Sequence, residues 1–306
     1  MEQAQLRQLQ NSVEIIGTLK TKELEVKTSR AGNQYMSGKI VVVSKVDNII
    51  NETPIKVFIM ATSKLFKGIE TVNNEYKASD DVGIENADRV RITGELTLNE
   101  YYNKQEKLVQ FNESKGVFFN RLNAENDQPD RAIASIDTVI ESFVEKLDSD
   151  QLPTGDYTIN GFTVGWGNEV IELKNTIVKA ELASSFMSLY QPGQTGRLTF
   201  KLNNYVEIEE QTIESIAPVT HGFGSVETVD HDSIIKNYVN NLEIIGGDIP
   251  YFGTKEYTPE EIVKAKQVRT LKLQTLNQPA PTTPKVNTGF GEGSSTFSSN
   301  EDMPDF

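Results

Sequence analysis

The chain contains no cysteine, which excludes disulfide bonds and thiolate metal sites and is typical of a protein from a reducing compartment. Histidine occurs only twice, as His221 and His231. Their spacing matches no zinc or nuclease pattern, so we interpret them as turn and helix-cap residues and expect no metal. No apolar run approaches the ~20 residues of a membrane span, and the first residues lack the apolar core of a signal peptide. We therefore expect a cytoplasmic protein without a membrane partner.

Groups that could perform catalysis are also missing. No nucleophile and base stand in a known motif, and neither common type of phosphate-binding glycine loop is present. The single tryptophan, Trp166, lies between Gly165 and Gly167, where it could stack on a base or close its own barrel as a hairpin-turn residue. The sequence thus predicts a protein that is not an enzyme and needs no cofactor.

The net charge of −14 is unfavourable for a nucleic-acid partner, because phosphate binding needs clustered lysine and arginine. The distribution of charge changes this conclusion. Residues 1–131 hold 18 of the 30 basic residues, whereas the rest of the chain is strongly acidic. A basic groove can therefore be assembled only in the first segment.

A length of 306 residues with 37% hydrophobic residues allows about two domains of ordinary size. Composition and hydrophobic pattern divide the chain into five predicted segments. These are a β domain at 1–122, a linker at 123–131, an acidic β domain at 132–217, helical elements that pack on the barrels at 218–277, and a disordered acidic tail at 278–306.

The first domain shows short stretches of alternating apolar residues with one helical candidate between them. Strands are predicted at 13–19, 34–43, 53–61, 87–98 and 108–111, and the helix at 63–68. Gly17 within the first strand indicates a bend or bulge. The order strand, strand, strand, helix, strand, strand is that of a five-stranded OB-fold barrel.

The second domain repeats much of this order. Strands are predicted at 136–144, 156–164, 169–173 and 196–202, with a helix at 181–190 before the last of them. We therefore predict a mainly β protein in which an OB-fold barrel is followed by a second, OB-like β domain. Two further helices, at 231–239 and 258–276, are expected to brace the barrels.

Strand alternation assigns the faces of the first barrel. Inner positions are predicted for Met36, Ile40, Val42, Ile55, Val57, Ile59, Val90, Ile92 and Leu96. The outward set interleaves aromatic rings with cations, as a sequence-tolerant single-strand binder requires. It comprises Tyr35, Lys39, Lys56, Phe58, Arg89, Arg91, Tyr101, Tyr102, Lys104, Lys107 and Phe111.

The last six residues form an acidic, aromatic tip: Glu301, Asp302, Met303, Pro304, Asp305 and Phe306. The preceding stretch is rich in Pro, Gly, Ser and Thr and has too few apolar residues to bury itself, so we predict a disordered tether. Such a tip can be a docking hook, with a ring for a pocket and acids for its basic rim. The alternative is a solvated acidic tail that only aids solubility.

Two of these patterns resemble bacterial and bacteriophage single-stranded DNA-binding proteins. In the fourth strand Asp88 precedes alternating basic and aliphatic residues, then Gly94 and Leu96, and a hairpin with aromatics follows, as in their OB domains. The tip is similar to their acidic, Phe-terminated tails, although Asp305 separates Pro304 from Phe306. The resemblance implies that the tip recruits replication, recombination or repair proteins.

The sequence therefore favours a non-enzymatic protein that binds and protects single-stranded DNA in a bacterial or phage-infected cell. A virion structural or assembly protein, using OB-like domains for protein contacts, is the alternative. A third hypothesis is that the chain is an accessory domain of an enzyme.

Overall fold

A computed structural model describes residues 5–211 and 233–276 of the chain. The predicted tail, its tip and both histidines lie outside these ranges. The strands are β1 (Asn11–Thr28), β2 (Gln34–Val46), β3 (Ile49–Met60), β4 (Arg89–Tyr102), β5 (Leu108–Leu122), β6 (Arg131–Leu147), β7 (Pro153–Val164), β8 (Val170–Leu173), β9 (Thr176–Val178), β10 (Thr195–Gln211) and β11 (Ser233–Gly247). The helices are α1 (Phe66–Glu75), α2 (Ser79–Val82), α3 (Ala180–Leu189) and α4 (Pro259–Leu276).

Strands β1 to β5 close a five-stranded barrel. β1 pairs with both β2 and β4, β2 pairs with β3, and β4 pairs with β5 in antiparallel ladders. A short parallel pairing, in which Ile55 lies opposite Ser114, joins β3 to β5 and completes the ring. This connectivity, with α1 between the third and fourth strands, is that of an OB-fold, so the predicted fold class is confirmed.

The second half of the chain repeats the same ring of pairings. β6 pairs with β7 and β10, β7 pairs with β9, and β10 pairs with β11. β9 and β11 are parallel, with Leu242 opposite Thr176. The helix α3 again lies between the third and fourth strands of the ring, with β8 as an extra hairpin partner of β7. The second barrel is thus OB-like, as the order of its elements predicts.

The predicted helix at 231–239 is wrong, because residues from Ser233 onward form β11. The apolar residues in this stretch suit helical spacing, but β10 needs an antiparallel partner to close the barrel. β11 therefore lies beyond the predicted boundary at 217. Of the residues 218–277, the structure describes this strand first and α4 from Pro259 onward.

Alternation along the strands places the core as predicted. All nine inner positions named for the first barrel are buried. Gly17 permits the barrel to close, because a Cβ atom there would lie 2.1 Å from the carbonyl oxygen of Val43. The bulge itself lies slightly further along β1, between Leu19 and Thr21.

The two barrels share one continuous sheet. β1 pairs with β6 through six residue pairs from Asn11↔Ile136 to Ile16↔Arg131. A second hydrophobic cluster joins Leu6 and Leu9 of the N-terminal segment to the second barrel and to Ala265 of α4. α4 starts as predicted, since the Thr258 hydroxyl caps the Glu261 N–H and the Glu261 carboxylate accepts from the Thr258 N–H. These contacts fix the relative positions of both barrels.

Candidate nucleic-acid interface

The outer face of β2 and β3 brings four of the predicted residues together. Lys39 lies directly opposite Lys56, so two cations stand side by side on the exposed surface. The rings of Tyr35 and Phe58 touch next to them, with centroids 5.0 Å apart and planes tilted by 40°. Phe58 remains exposed although it is a large apolar side chain. In OB-folds this face of the second and third strands is the one that receives oligonucleotides.

The same face continues onto β5 and β4. Phe111 lies opposite Asn99, and Tyr101 lies opposite Val109. The Glu113 carboxylate lies 2.6 Å from the Lys56 ammonium and partly neutralises it. By the parallel register of β3 and β5, Phe111 lies on the other side of the lysine pair from Phe58, and Tyr101 lies farther out along the same hairpin.

The loop between β4 and β5 carries Lys104 and Lys107, which are both exposed. Its shape is held by the Asn103 carboxamide oxygen, which accepts from the backbone N–H groups of Gln105 and Lys107. Tyr102 alternates with Tyr101 and therefore belongs to the other face of the hairpin. The loop presents its cations at the end of this hairpin.

Arg89 and Arg91 lie elsewhere, on the half of the barrel formed by β4 and β1. Arg89 binds Asp127 and Asp130 at 2.7 Å each, and Arg91 donates to Glu14 at 2.8 Å. Burial lowers the pKa of Arg89, but its hydrogen bonds to the two aspartates outweigh this effect and raise it. Both guanidinium groups are thus engaged by carboxylates, and the structure separates them from the lysine and aromatic cluster.

A groove of about 500 Å³ runs beside the lysine pair, between the two barrels. Its first wall carries Lys39, Lys56 and Phe111, and its second wall is formed by asparagines and neighbouring residues of β10 and β11. The residue pairs Asn203↔Asn241 and Asn204↔Asn240 are adjacent in the ladder, and because successive strand residues alternate, each pair presents its side chains to a different face. The sequence has three Asn-Asn dipeptides, of which only those at 203–204 and 240–241 contribute to this wall, so the dipeptide alone does not identify it.

The hairpin of β4 and β5 is fixed to the second barrel by a buried ion cluster that the sequence did not reveal. Arg269 of α4 binds Glu100 at 2.6 Å and Glu172 of β8 at 3.1 Å. The side chains of Arg269 and Glu100 are 6% and 4% exposed. Lys272 adds a contact to Glu100 at 3.1 Å. The cluster therefore sets the position of the hairpin that carries Tyr101 and the loop cations.

Protonation within this cluster is strongly shifted. Burial alone would raise the pKa of Glu100, but hydrogen bonds from Arg269, Gln110 and Lys272 lower it to about 2. The pKa of Glu172 is lowered in the same way, since Arg269 and Lys174 outweigh the effect of its burial. Desolvation lowers the pKa of Arg269, but its hydrogen bonds to both glutamates outweigh this effect and raise the pKa above its usual value. Glu100, Glu172 and Arg269 are therefore charged at neutral pH.

Within residues 5–211 and 233–276, no group of three or more potential metal ligands is assembled. In the same ranges no helix is long and apolar enough to cross a membrane.

Comparison with known proteins gives one family and a set of similar folds. No curated protein matches the sequence. Two solved structures of the single-stranded DNA binding protein from Thermus aquaticus are similar to this chain. The wild type is 11% identical with a TM-score of 0.48, covering 81% of this chain and 96% of the other. A deletion mutant is 12% identical with a TM-score of 0.45, covering 83% and 98%. The YorF family model matches residues 10–279, and the chain therefore belongs to the YorF family.

Proposed function

We propose that this chain is a non-enzymatic single-stranded DNA-binding protein that acts in the cytoplasm of a bacterial or phage-infected cell. The observation that carries the proposal is the outer face of β2 and β3, where a lysine pair adjoins two touching aromatic rings. Rings of this kind stack on any base, and ammonium groups neutralise the phosphates between the bases. The face lies on a closed OB barrel, at the position where such barrels receive oligonucleotides.

The direct test measures the fluorescence anisotropy of labelled oligo-dT, in single-stranded and duplex form, across a salt series. We expect binding of the single strand, an affinity that falls with salt, and much weaker binding of the duplex. Equal affinity for both forms, or no binding at low salt, would contradict the proposal. The same face also favours this function over a virion assembly role, which would need a broad apolar patch instead.

Two substitutions on this face should separate stacking from phosphate contact. Phe58→Ala should weaken binding by about 1–3 kcal/mol, the usual contribution of one stacked base, with little change in the salt dependence. Lys39→Gln should reduce the salt slope by about 0.7, the value for one phosphate contact on a single strand. Anisotropy titrations at several salt concentrations measure both quantities.

Phe118→Ala is the matched control, because this ring is also exposed on the first barrel but lies on β5 opposite Thr93 of β4, not on the outer face of β2 and β3. It should bind like the wild type. If Phe58→Ala and Lys39→Gln also bind like the wild type while remaining folded, the face is assigned wrongly.

We further propose that residues 301–306 recruit a replication, recombination or repair protein. The acids of the tip suit a basic rim and the ring of Phe306 suits a pocket. Because the tip is tethered, its acids compete weakly with phosphate for the basic face. Deleting 297–306 should leave the affinity for DNA unchanged or slightly higher at low salt, and should abolish capture of the partner.

The test pairs DNA titrations with pull-downs from host lysate, using the full chain, the deletion and a Phe306→Ala variant. Phe306→Ala keeps every acid of the tip and is therefore the matched control for the effect on DNA affinity. It should bind DNA like the full chain but should lose the partner, because the ring is gone. Equal recovery of the partner by all three proteins, or a marked loss of DNA affinity on deletion, would contradict the role of the tip.

A further inference from the structure

A second groove lies between the second barrel and the β4–β5 hairpin of the first, with Leu108 and Gln110 of β5 in its lining. In the second barrel, strands β7, β9 and β11 occupy the second, third and fifth places of the ring, as β2, β3 and β5 do in the first barrel. The groove has a volume of about 820 Å³ and lies along them. Its polar lining includes Lys146, Asn160, Lys174, Asn175, Tyr238 and Asn240. The second and third strands of this ring, β7 and β9, thus border a polar groove that holds one aromatic ring, and these are the strands with which an OB-fold binds an oligonucleotide.

Tyr238 is the aromatic side chain of this groove and is 76% exposed. It lies on a barrel strand, opposite the partly exposed Val206. Exposing a large ring on a strand forgoes the free energy that burying it would contribute. A base stacked on the ring would cover this surface.

The two grooves meet at one point. Asn240 and Asn241 line both of them. The Asn241 carboxamide oxygen accepts a hydrogen bond from the Asn203 side chain at 3.0 Å, so the crossing point between the grooves is polar.

Asn112 of β5 keeps the two grooves aligned. Its carboxamide nitrogen donates to the Glu172 carbonyl at 2.9 Å, and its carboxamide oxygen accepts from the Lys174 N–H at 2.6 Å. A side chain of the first barrel thereby clamps the segment between β8 and β9 of the second.

The charged side chains that line the second groove leave one lysine able to bind an anionic ligand. Lys146 is exposed and has no ion-pair partner in the described part of the chain. Two carboxylates also line the groove, but each is bound by a cation. Glu141 pairs with Lys266 at 2.9 Å, and Glu172 pairs with Arg269 and with Lys174. Lys146 is therefore available for a phosphate.

We propose that one single strand of DNA occupies both grooves in turn, crossing from the first barrel to the second over Asn240 and Asn241. Tyr238 stacks on a base and Lys146 contacts a phosphate in the second groove. This inference rests on the proposed function and adds to it a second binding surface, on the acidic barrel. Since one OB-fold covers roughly 4–16 nucleotides, an oligonucleotide of about ten fills the first groove and one of about thirty reaches the second.

The experiment uses the full chain and labelled oligo-dT of these two lengths. Tyr238→Ala should weaken binding of the longer oligonucleotide roughly 5- to 150-fold, which corresponds to one stacked base, and should leave the shorter one unchanged. Lys146→Gln should lower the salt slope by about 0.7 for the longer oligonucleotide only. Phe252→Ala is the matched control, because Phe252 is 73% exposed and lines neither groove.

Three outcomes are distinct. Loss of affinity by Tyr238→Ala for the longer oligonucleotide alone supports the continuous path. The path is wrong if Tyr238→Ala binds both lengths like the Phe252→Ala control, or if it loses the same affinity for both lengths. In either case the first-barrel site is still tested independently by Phe58→Ala. If the wild type binds neither length, the proposed function fails and the path fails with it.

Discussion

Replacing Arg269 by alanine is expected to lower the free energy of unfolding by about 3–5 kcal/mol, the usual cost of removing one partner from a buried ion pair. Arg269 is the common partner of Glu100 and Glu172, which belong to different barrels. Without it both carboxylates lose a donor, and Glu100 is left buried with Lys272 and Gln110 as its remaining contacts. Urea denaturation followed by circular dichroism measures the change.

Lys264→Ala is the matched control, since Lys264 lies exposed on the same helix and its removal changes helix propensity little. Arg269→Lys should be intermediate, because lysine keeps the charge but cannot reach both carboxylates with a planar fork. A loss below about 1 kcal/mol for Arg269→Ala, typical of a surface pair, would show that the cluster does not hold the hairpin.

Stability should also fall steeply in acid, because Glu100 must be protonated. Its pKa is lowered from 4.5 to about 2, so its contribution is fully present above pH 4.5 and is lost as the pH falls from there towards 2. At 1.36 kcal/mol per pKa unit the loss is about 3 kcal/mol over this window. Glu172 adds to it, since its pKa is lowered as well. Urea midpoints measured between pH 7 and pH 2 record the profile.

Glu100→Gln isolates this contribution. The variant should be less stable than the wild type at pH 7 and should show a flatter profile between pH 5 and pH 2. Glu106→Gln, an exposed position in the same hairpin, serves as the control and should follow the wild-type profile. Parallel profiles for Glu100→Gln and the wild type would mean that the pKa of Glu100 is not shifted as the geometry implies.

Alternation of apolar residues was a reliable guide wherever one face of a strand is buried. The inner positions of β2, β3 and β4 are all as predicted, because a shift by one residue would move the whole apolar set to solvent. The helix predicted at 231–239 failed for the opposite reason. Tyr238 and Asn240 belong to a strand because β10 lies beside them, and that pairing is not visible in local spacing.

In the candidate site, too, local patterns predicted some features and missed others. The outward positions of Lys39 and Phe58 follow from strand alternation alone. Arg89 and Arg91 form ion pairs with carboxylates that are far from them in sequence, those of Asp127, Asp130 and Glu14. A sequence pattern identifies a cation but not its ion-pair partner. The tertiary structure was therefore needed to show which of the eleven predicted residues lie together and which, like Arg89 and Arg91, are bound by carboxylates elsewhere.

The sequence by itself determined the β-rich class, the order of elements in the first barrel and the concentration of cations there, because periodicity and composition are local properties. The tertiary structure decided the fifth strand of the second barrel, the asparagine wall and the Arg269 cluster. Each of these depends on contacts between residues tens to more than a hundred positions apart. Such contacts form through ring closure and packing, which no local pattern encodes.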